Sequence, residues 1–414
     1  MSQTACRGCG TAGLRVVLDL GEMPLANAIL EEGDLDRPEP RYPLALAYCP
    51  ECWLVQITET IPPDVLFRDY TYFSSVSDAF VEHSRVIAER LIAERGLGPG
   101  SLVVELASND GYLLQHYARA GVPVLGIDPA RNIAEVATAS GVPTLAEFFT
   151  RDLADELASS GRTADVVHAN NVIAHVPDLN GFVAGIARIL KPGGVAVIET
   201  PYLRELVERL EFDTVYHEHL FYHSLTALSR VFVRNGLSVV DVERIPVHGG
   251  SLRVFAMRSG ADADSGATAP SQAVRSLLAE ETAVGLCSPQ YYAAFADRVD
   301  ALGRQLRAML TGLRSQGHTV AAYGAAAKGA VLLNTFNIGP DMIAFVADRS
   351  PHKQGHLMPG VHIPIVDAGQ LVARKPQECL LLAWNFADEI LAQQSEYRRL
   401  GGKFIIPGPK LTLV

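Results

Sequence analysis

The chain has 414 residues, 48% hydrophobic and 20% charged, with a formal net charge of −11. That size and apolar share predict a globular protein of two or three domains, and the acidic balance argues against a nucleic-acid or anionic-membrane surface. No apolar run approaches the ~18 residues of a membrane span and the N-terminal MSQTACRGCG has no signal-peptide core, so a cytoplasmic location is expected.

Two Cys-x-x-Cys pairs come first, Cys6 with Cys9 and Cys49 with Cys52, separated by 39 residues. Four thiolates satisfy tetrahedral Zn2+, and Gly8, Gly10 and Pro50 supply the tight turns that let each pair give two ligands. With every position filled by protein, the metal is expected to fold this module and not to catalyse. Redox pairs usually come singly in a βαβ setting, and disulfides do not suit a cytoplasmic chain. The runs Leu14–Leu18 and Leu54–Ile57 read as strands of a module spanning residues 1–69. Cys287 and Cys379 stand alone and read as buried small hydrophobes.

Residues 101–129 read as strand, tight loop, helix and strand. Leu102-Val103-Val104 leads to Glu105, the loop is Ala107-Ser108-Asn109-Asp110-Gly111, Tyr112 to Arg119 is helical, and Val122 to Ile127 stops at Asp128. Such a unit binds a nucleoside at the carboxyl ends of a parallel sheet. Gly111 allows close backbone approach, and Asp128, 23 residues after Glu105, can accept from two ribose hydroxyls. The loop is neither GxGxxG nor a P-loop. Asn109 and Asp110 would turn oxygens toward a phosphate, which suits a cationic ligand without one, such as S-adenosylmethionine (SAM). An ordinary βαβ unit with a solvated loop is the alternative. The stretch resembles class I SAM-dependent methyltransferases, as does Leu190–Gly194 (LKPGG) before the apolar run Val195–Ile198. The core is expected over residues 70–258.

Three segments near the expected strand tips are dense in His and Tyr: Asp69–Ser75, His168–Pro177 and Asp213–His223. The third is no HExxH zincin site, because Phe221 stands four places after His217. If it is helical, Tyr216, His219 and His223 share a face and Glu218 lies near Tyr222. Glu218 would then hold the tautomer of an imidazole serving as general base. A metal-binding cluster and a plain surface patch are the alternatives.

A Gly/Ala/Ser/Asp-rich stretch, Ser259–Ser271, reads as a linker. Gln272 to Gln316 reads as amphipathic helix with a break near Ser288-Pro289. The tail from His318 opens a second α/β pattern: Thr319–Tyr323 runs into Gly324-Ala325-Ala326-Ala327-Lys328-Gly329, Met342–Val346 ends at Asp348, and Leu380–Ala383 and Phe404–Ile406 come later. The small loop either exposes amides to phosphate, with Lys328 as counter-charge, or only packs a helix end on a sheet. Residues 259–414 are thus a helical segment plus a Rossmann-like domain.

Taken together, the double CxxC, Tyr70–Ser75 (YTYFSS), Glu105–Gly111 (ELASNDG), Tyr216–His219 (YHEH), His248–Arg253 (HGGSLR) and Tyr323–Lys328 (YGAAAK) resemble the sugar C-methyltransferases of antibiotic deoxysugar pathways, in order and over the whole chain. The resemblance implies methylation of C3 of a nucleotide-linked, often dTDP-linked, 4-keto-6-deoxysugar through an enolate. It places catalysis on Tyr70, His175, Tyr216, Glu218 and His219. SAM contacts are expected at Glu105, Ala107, Asn109, Gly111, Asp128 and Asn170, and substrate contacts at Tyr72, Tyr222, His248 and Lys328. His219 is the candidate base, with Glu218 orienting it, Tyr216 relaying or donating, and Tyr70 and His175 donating to the enolate. SAM and a structural Zn2+ are the cofactors; a nucleotide sugar is the partner, nucleic acid and membrane are not, and a monomer or weak homo-oligomer is expected. An O- or N-methyltransferase on another natural-product scaffold, or a non-catalytic zinc-ribbon adaptor, are the competing functions. The density of enolate-stabilising Tyr and His favours carbon.

Overall fold

A computed structural model describes residues 5–62, 65–66, 73–260 and 269–414, without the side chain of His248. Tyr70, Tyr72 and most of the expected linker lie outside the described residues.

The elements form three sheets. The first holds β1 (Arg15–Pro24), β2 (Arg41–Tyr48) and β3 (Val55–Ile57), joined at β3 by β9 (Phe221–Tyr222). β9 comes from far along the chain: Val55 pairs with Tyr222 and Gln56 with Phe221, antiparallel. The zinc module's sheet therefore takes its last strand from the segment that carries the Tyr/His/Glu cluster.

The second sheet is the central one. It contains β4 (Val103–Leu106), β5 (Val124–Ile127), β6 (Thr144–Leu145), β7 (Ala164–Asn170), β8 (Leu190–Pro201), β10 (Leu237–Ile245) and β11 (Ser251–Arg258), in the order β10-β11-β8-β7-β4-β5-β6. β4 to β8 run parallel, and β11 is inserted antiparallel between β8 and β10. The order reverses beside β4, which puts the ligand crevice at the carboxyl ends of β4 and β7. β4 reads as a continuous apolar run because both its faces are covered; helix α1 (Asp78–Arg95) lies on one of them, burying Ile87, Ala88 and Leu91 with Val103, Val166 and Val197. α1 begins at the Ser77 cap and ends at Gly96 in the left-handed conformation. The expected run from Val195 is the distal part of one long strand, β8, with LKPGG at its start.

The third sheet, in the order β14-β13-β12-β15-β16-β17, comprises β12 (Val320–Tyr323), β13 (Val346–Asp348), β14 (Ile365–Asp367), β15 (Glu378–Leu381), β16 (Lys403–Ile406) and β17 (Thr412–Leu413). Its strands are parallel except β17, as the second Rossmann-like pattern predicts. The preceding amphipathic stretch is three helices, Gln272–Ala283, Pro289–Tyr292 and Phe295–Ser315, broken where Ser288-Pro289 interrupts it. Glu281 docks the first of these on the core. Its buried carboxylate accepts from the Tyr202 hydroxyl, the Leu225 and Thr226 amides and the Thr226 hydroxyl.

Candidate active site

The four cysteines converge. Their sulfurs all lie within 4.8 Å of one another, with Cys6 to Cys52 and Cys9 to Cys49 each at 3.5 Å. A tetrahedral Zn2+ with Zn–S bonds of about 2.3 Å sets its sulfurs about 3.8 Å apart, so the donor set fits the metal. Among the described residues this is the only cluster of three or more metal-type ligands; the Asp213–His223 segment forms none. Cys379 is buried as expected, whereas Cys287 is partly exposed.

At the crevice, Ala107 (φ +54°), Asn109 (φ +47°) and Gly111 (φ +83°) all take left-handed backbone. Two non-glycine residues in this region within five positions are costly and recur at ligand sites. Gly111 is required twice over, because a Cβ there would lie 2.9 Å from Val142. The loop is buried, not solvated, which removes the ordinary-loop alternative. Asp128 ties it down: its Oδ2 accepts from the Asn109 amide at 2.9 Å and its Oδ1 from the Ala130 amide at 2.9 Å. Asp128 therefore shapes the loop as well as facing the crevice. Asn109 in turn accepts from the Ser74 amide, and Asp110 from the Ser75 amide.

Polar atoms here lack protein partners. Asp110 Oδ1 and Asn170 Oδ1 are buried without a hydrogen bond, and the buried Glu105 carboxyl has only the Tyr112 hydroxyl to favour its charge. Burial pushes the Glu105 carboxyl well above the usual range, and Asp128 and Asp110 push it further. Under-satisfied acids around a strained loop call for a ligand that brings positive charge and donors. The sulfonium and amino groups of SAM supply both, so Glu105, Asp110 and Asn170 fit it.

The Asp213–His223 segment is not helical. A single 3-10 turn, Phe212–Thr214, precedes an irregular turn and then β9. This overturns the shared helical face. His219 Nδ1–H donates to the Thr214 carbonyl at 3.0 Å, and Nε2 lies 2.9 Å from the Tyr216 hydroxyl. Because a carbonyl only accepts, Nδ1 holds the proton and Nε2 is the basic nitrogen. Glu218 does not orient His219, contrary to expectation. Its carboxylate accepts from Asn27 Nδ2 at 2.7 Å, and burial raises its affinity for a proton. The backbone is responsible: one residue before His219, the Glu218 side chain leaves on the side of the zinc module.

His175 joins the cluster. Its ring centre is 4.8 Å from that of His219, and its Nδ1–H donates to the Glu218 carbonyl at 2.7 Å. Burial pushes its pKa down to about 4, so it is neutral at neutral pH. The segment's other two histidines, His223 and His217, make structural contacts. His223 is fully buried against the Thr200 hydroxyl with its pKa lowered to about 3, and His217 faces the Pro43 carbonyl. Tyr222 donates its hydroxyl to the Thr214 carbonyl at 3.2 Å, so that hydroxyl is committed away from a substrate. Lys328 does not stand over its own loop as a free counter-charge. Its Nζ lies 3.5 Å from Asp213 Oδ1 and 4.4 Å from the centre of the Trp384 ring.

Sequence reasoning missed Asn27, the Thr214 carbonyl and a buried network at the tip of β8. There Glu199 accepts from Arg253 Nε at 2.7 Å and contacts His83 Nε2 at 2.9 Å, and Arg253 also reaches Glu243. Arg253 ends the HGGSLR motif, which was the available signal. Asn27 and Thr214 had none, since one acts across 191 residues and the other through its backbone.

A four-thiolate zinc module joined to a seven-stranded sheet, with an acid-lined crevice at its switch point, defines a zinc-bearing class I methyltransferase. Family models match along the chain: a zinc binding domain over residues 6–67, a methyltransferase domain over 80–242 and a C-methyltransferase C-terminal domain over 246–409. The C-methyltransferase NovU of Streptomyces niveus is 39% identical over 405 residues, covering 98% of this chain and 95% of that protein. The protein belongs to this C-methyltransferase family. A ubiquinone biosynthesis O-methyltransferase of Rhizobium etli (strain CIAT 652) is 36% identical over 24% of this chain and 41% of its own length. The crystal structure of magnesium protoporphyrin IX methyltransferase from Synechocystis PCC 6803 with bound SAM is 18% identical, covering 46% of this chain and 86% of that one at a TM-score of 0.34. Among the described residues no helix is long and apolar enough to cross a membrane.

Proposed function

We propose that the protein methylates C3 of a nucleotide-linked, dTDP-type 4-keto-6-deoxysugar, with SAM as methyl donor. The observation that carries this reading is the His219–Tyr216 pair, an imidazole with Nδ1 on the Thr214 carbonyl and Nε2 on a phenol hydroxyl, with the neutral imidazole of His175 against it. Glu105, Asn109, Gly111, Asp128 and Asn170 hold the cofactor, with the backbone of Ala107 in the same loop. Bound SAM supplies an electrophilic methyl on a sulfonium.

The chain's own residues make the carbon nucleophilic. His219 Nε2 takes the proton α to the ketone, directly or through the Tyr216 hydroxyl, and Nδ1–H stays on the Thr214 carbonyl as positive charge develops on the ring. Tyr70 and His175 are assigned to donate toward the enolate oxygen and Tyr72 and His248 to take the nucleotide sugar, while Lys328 is held by Asp213 and Trp384. Glu218 serves through its carbonyl on His175 and its contact with Asn27. Transfer to oxygen or nitrogen needs one base at most and gains little from this cluster. In this reading residues 1–69, 70–258 and 259–414 are the three domains, and the enzyme works in the cytoplasm as a monomer or weak homo-oligomer.

The test is His219→Asn. Turnover should fall roughly two to four orders of magnitude with SAM affinity nearly unchanged, and exchange of the substrate C3 proton with D2O should slow in parallel. Tyr70→Phe and His175→Asn should slow the exchange less. Wild-type exchange in the His219 variant would move the base elsewhere, and a product methylated on oxygen or nitrogen would end the carbon assignment.

A further inference from the structure

Asp213 is fully buried in the 3-10 turn just before Thr214, and among the described residues the side chains that hold it, Trp384 and Lys328, come from the C-terminal lobe. Its Oδ2 accepts from Trp384 Nε1–H at 2.7 Å across 171 residues of sequence. Its Oδ1 faces Lys328 Nζ, which lies over the same indole ring. The neighbouring Phe212 ring packs 5.0 Å from Phe336, just beyond the helix Ala327–Thr335. Within the turn, the Thr214 amide and hydroxyl donate to the Glu211 carbonyl and the Val215 amide to the Phe212 carbonyl, all contacts local to the segment.

Thr214, the next residue, carries this grip into the site. Its carbonyl accepts from both His219 Nδ1–H and the Tyr222 hydroxyl. It is the acceptor that keeps the imidazole proton on Nδ1 and leaves Nε2 basic. We propose that Trp384 and Lys328, through Asp213, hold the Thr214 carbonyl in place, so that the C-terminal lobe sets the tautomer and orientation of His219. Asp213 and Trp384 are positioning residues in this scheme. Simple domain packing does not require the arrangement, because a buried ion pair stabilises little more than an apolar contact of equal size. The proposal rests on the reading of His219 as the base.

The experiment uses the full-length zinc-loaded chain. Trp384→Phe keeps an aromatic face for Lys328 and removes the indole N–H. Nitrogen NMR of 15N-histidine protein, with the His219 signals assigned by difference against His219→Asn, should show an Nδ1–H tautomer in the wild type and a mixture in Trp384→Phe. Turnover on a dTDP-4-keto-6-deoxysugar should fall ten- to a hundredfold in kcat, with the Kd for SAM within twofold of wild type. Asp213→Asn keeps an acceptor for Trp384 and should retain most of the wild-type tautomer, whereas Asp213→Ala should lose it. An unchanged tautomer in Trp384→Phe overturns the proposal whatever happens to kcat, as does loss of SAM affinity in step with kcat. If the wild type turned over no ketosugar, the function reading would fail, while the tautomer measurement would still decide this one.

Discussion

Glu105 gives the sharpest test of the cofactor site. Its carboxylate is 1% exposed, and burial together with Asp128 and Asp110 raises its pKa well above the carboxylate range, against a smaller lowering by the Tyr112 hydroxyl. Without ligand, the folded protein therefore holds a proton on Glu105 that the unfolded chain has released. The stability this gives is present below the ordinary carboxylate pKa and is lost as pH climbs from there toward the raised folded value. A cation arriving at Glu105 reverses the preference, so SAM binding should expel that proton. Affinity should then rise with pH by up to tenfold per unit, about 1.4 kcal/mol for one proton released. Calorimetric titration in buffers of different ionisation enthalpy reads the proton count directly. Wild type should release protons on binding SAM in the pH range between the ordinary and the raised carboxylate pKa, and Glu105→Gln none. The variant should also bind SAM more weakly by about 1.5–3 kcal/mol, as a charged hydrogen-bonding partner is lost, while its ligand-free melting temperature falls less from pH 5 to 8. Equal proton counts in wild type and variant would refute the reasoning.

Cys52→Ser, or zinc removal by chelation, should lower stability by several kcal/mol, structural zinc binding being on the order of 10 kcal/mol gross. Because β3 pairs with β9, turnover should fall with it; a metal-free preparation with unchanged melting and activity would contradict both points. Asp128→Ala should cost about 1.5–3 kcal/mol of SAM affinity, and it should also loosen the loop, seen as faster amide exchange at Asn109, whose N–H loses its acceptor. Equal SAM affinity by calorimetry would remove Asp128 from the site. Glu281→Ala leaves two buried and two part-buried donors without an acceptor and should destabilise by about 3–5 kcal/mol in denaturant titration. A change under about 1 kcal/mol would show that water replaces the carboxylate.

The parts of this protein that are local in sequence were legible and the parts that are not were missed. The β4-loop-helix-β5 unit announces itself because apolar runs, a small-residue loop and a terminal acid lie within thirty residues. The cysteine pairs do so because each half-site is four residues long. The Asp213–His223 segment does not take the helix considered for it, for a physical reason. Its apolar and polar residues suit a helical face, but Phe221 and Tyr222 find a better partner in the edge of β3, and tertiary pairing overrides local preference. Once the segment is extended, Glu218 and His219 point to different neighbours, and the role assigned to Glu218 falls to a backbone carbonyl that no residue pattern can reveal. The contact of Lys328 with Asp213 was equally hidden, since that partner lies more than a hundred residues upstream.

The two halves of the site are thus built by different means. The cofactor half is assembled by one continuous stretch, whose strained loop is fixed by Asp128 from the next strand. The base half has almost no regular structure of its own. Residues 212–222 offer one 3-10 turn and a two-residue strand, too little to hold an imidazole to the few tenths of an ångström that proton transfer demands. Three outside elements supply the rigidity. β3 of the zinc module pairs with β9, the Ala174 carbonyl beside His175 accepts from the Leu220 amide at 2.7 Å, and Trp384 of the C-terminal lobe grips Asp213. In the proposed mechanism the flanking domains thereby have a role in the chemistry without contributing the base. Damage at the zinc cluster or at Trp384 should accordingly show first in kcat, while the crevice around Glu105 and Asp128 keeps its affinity.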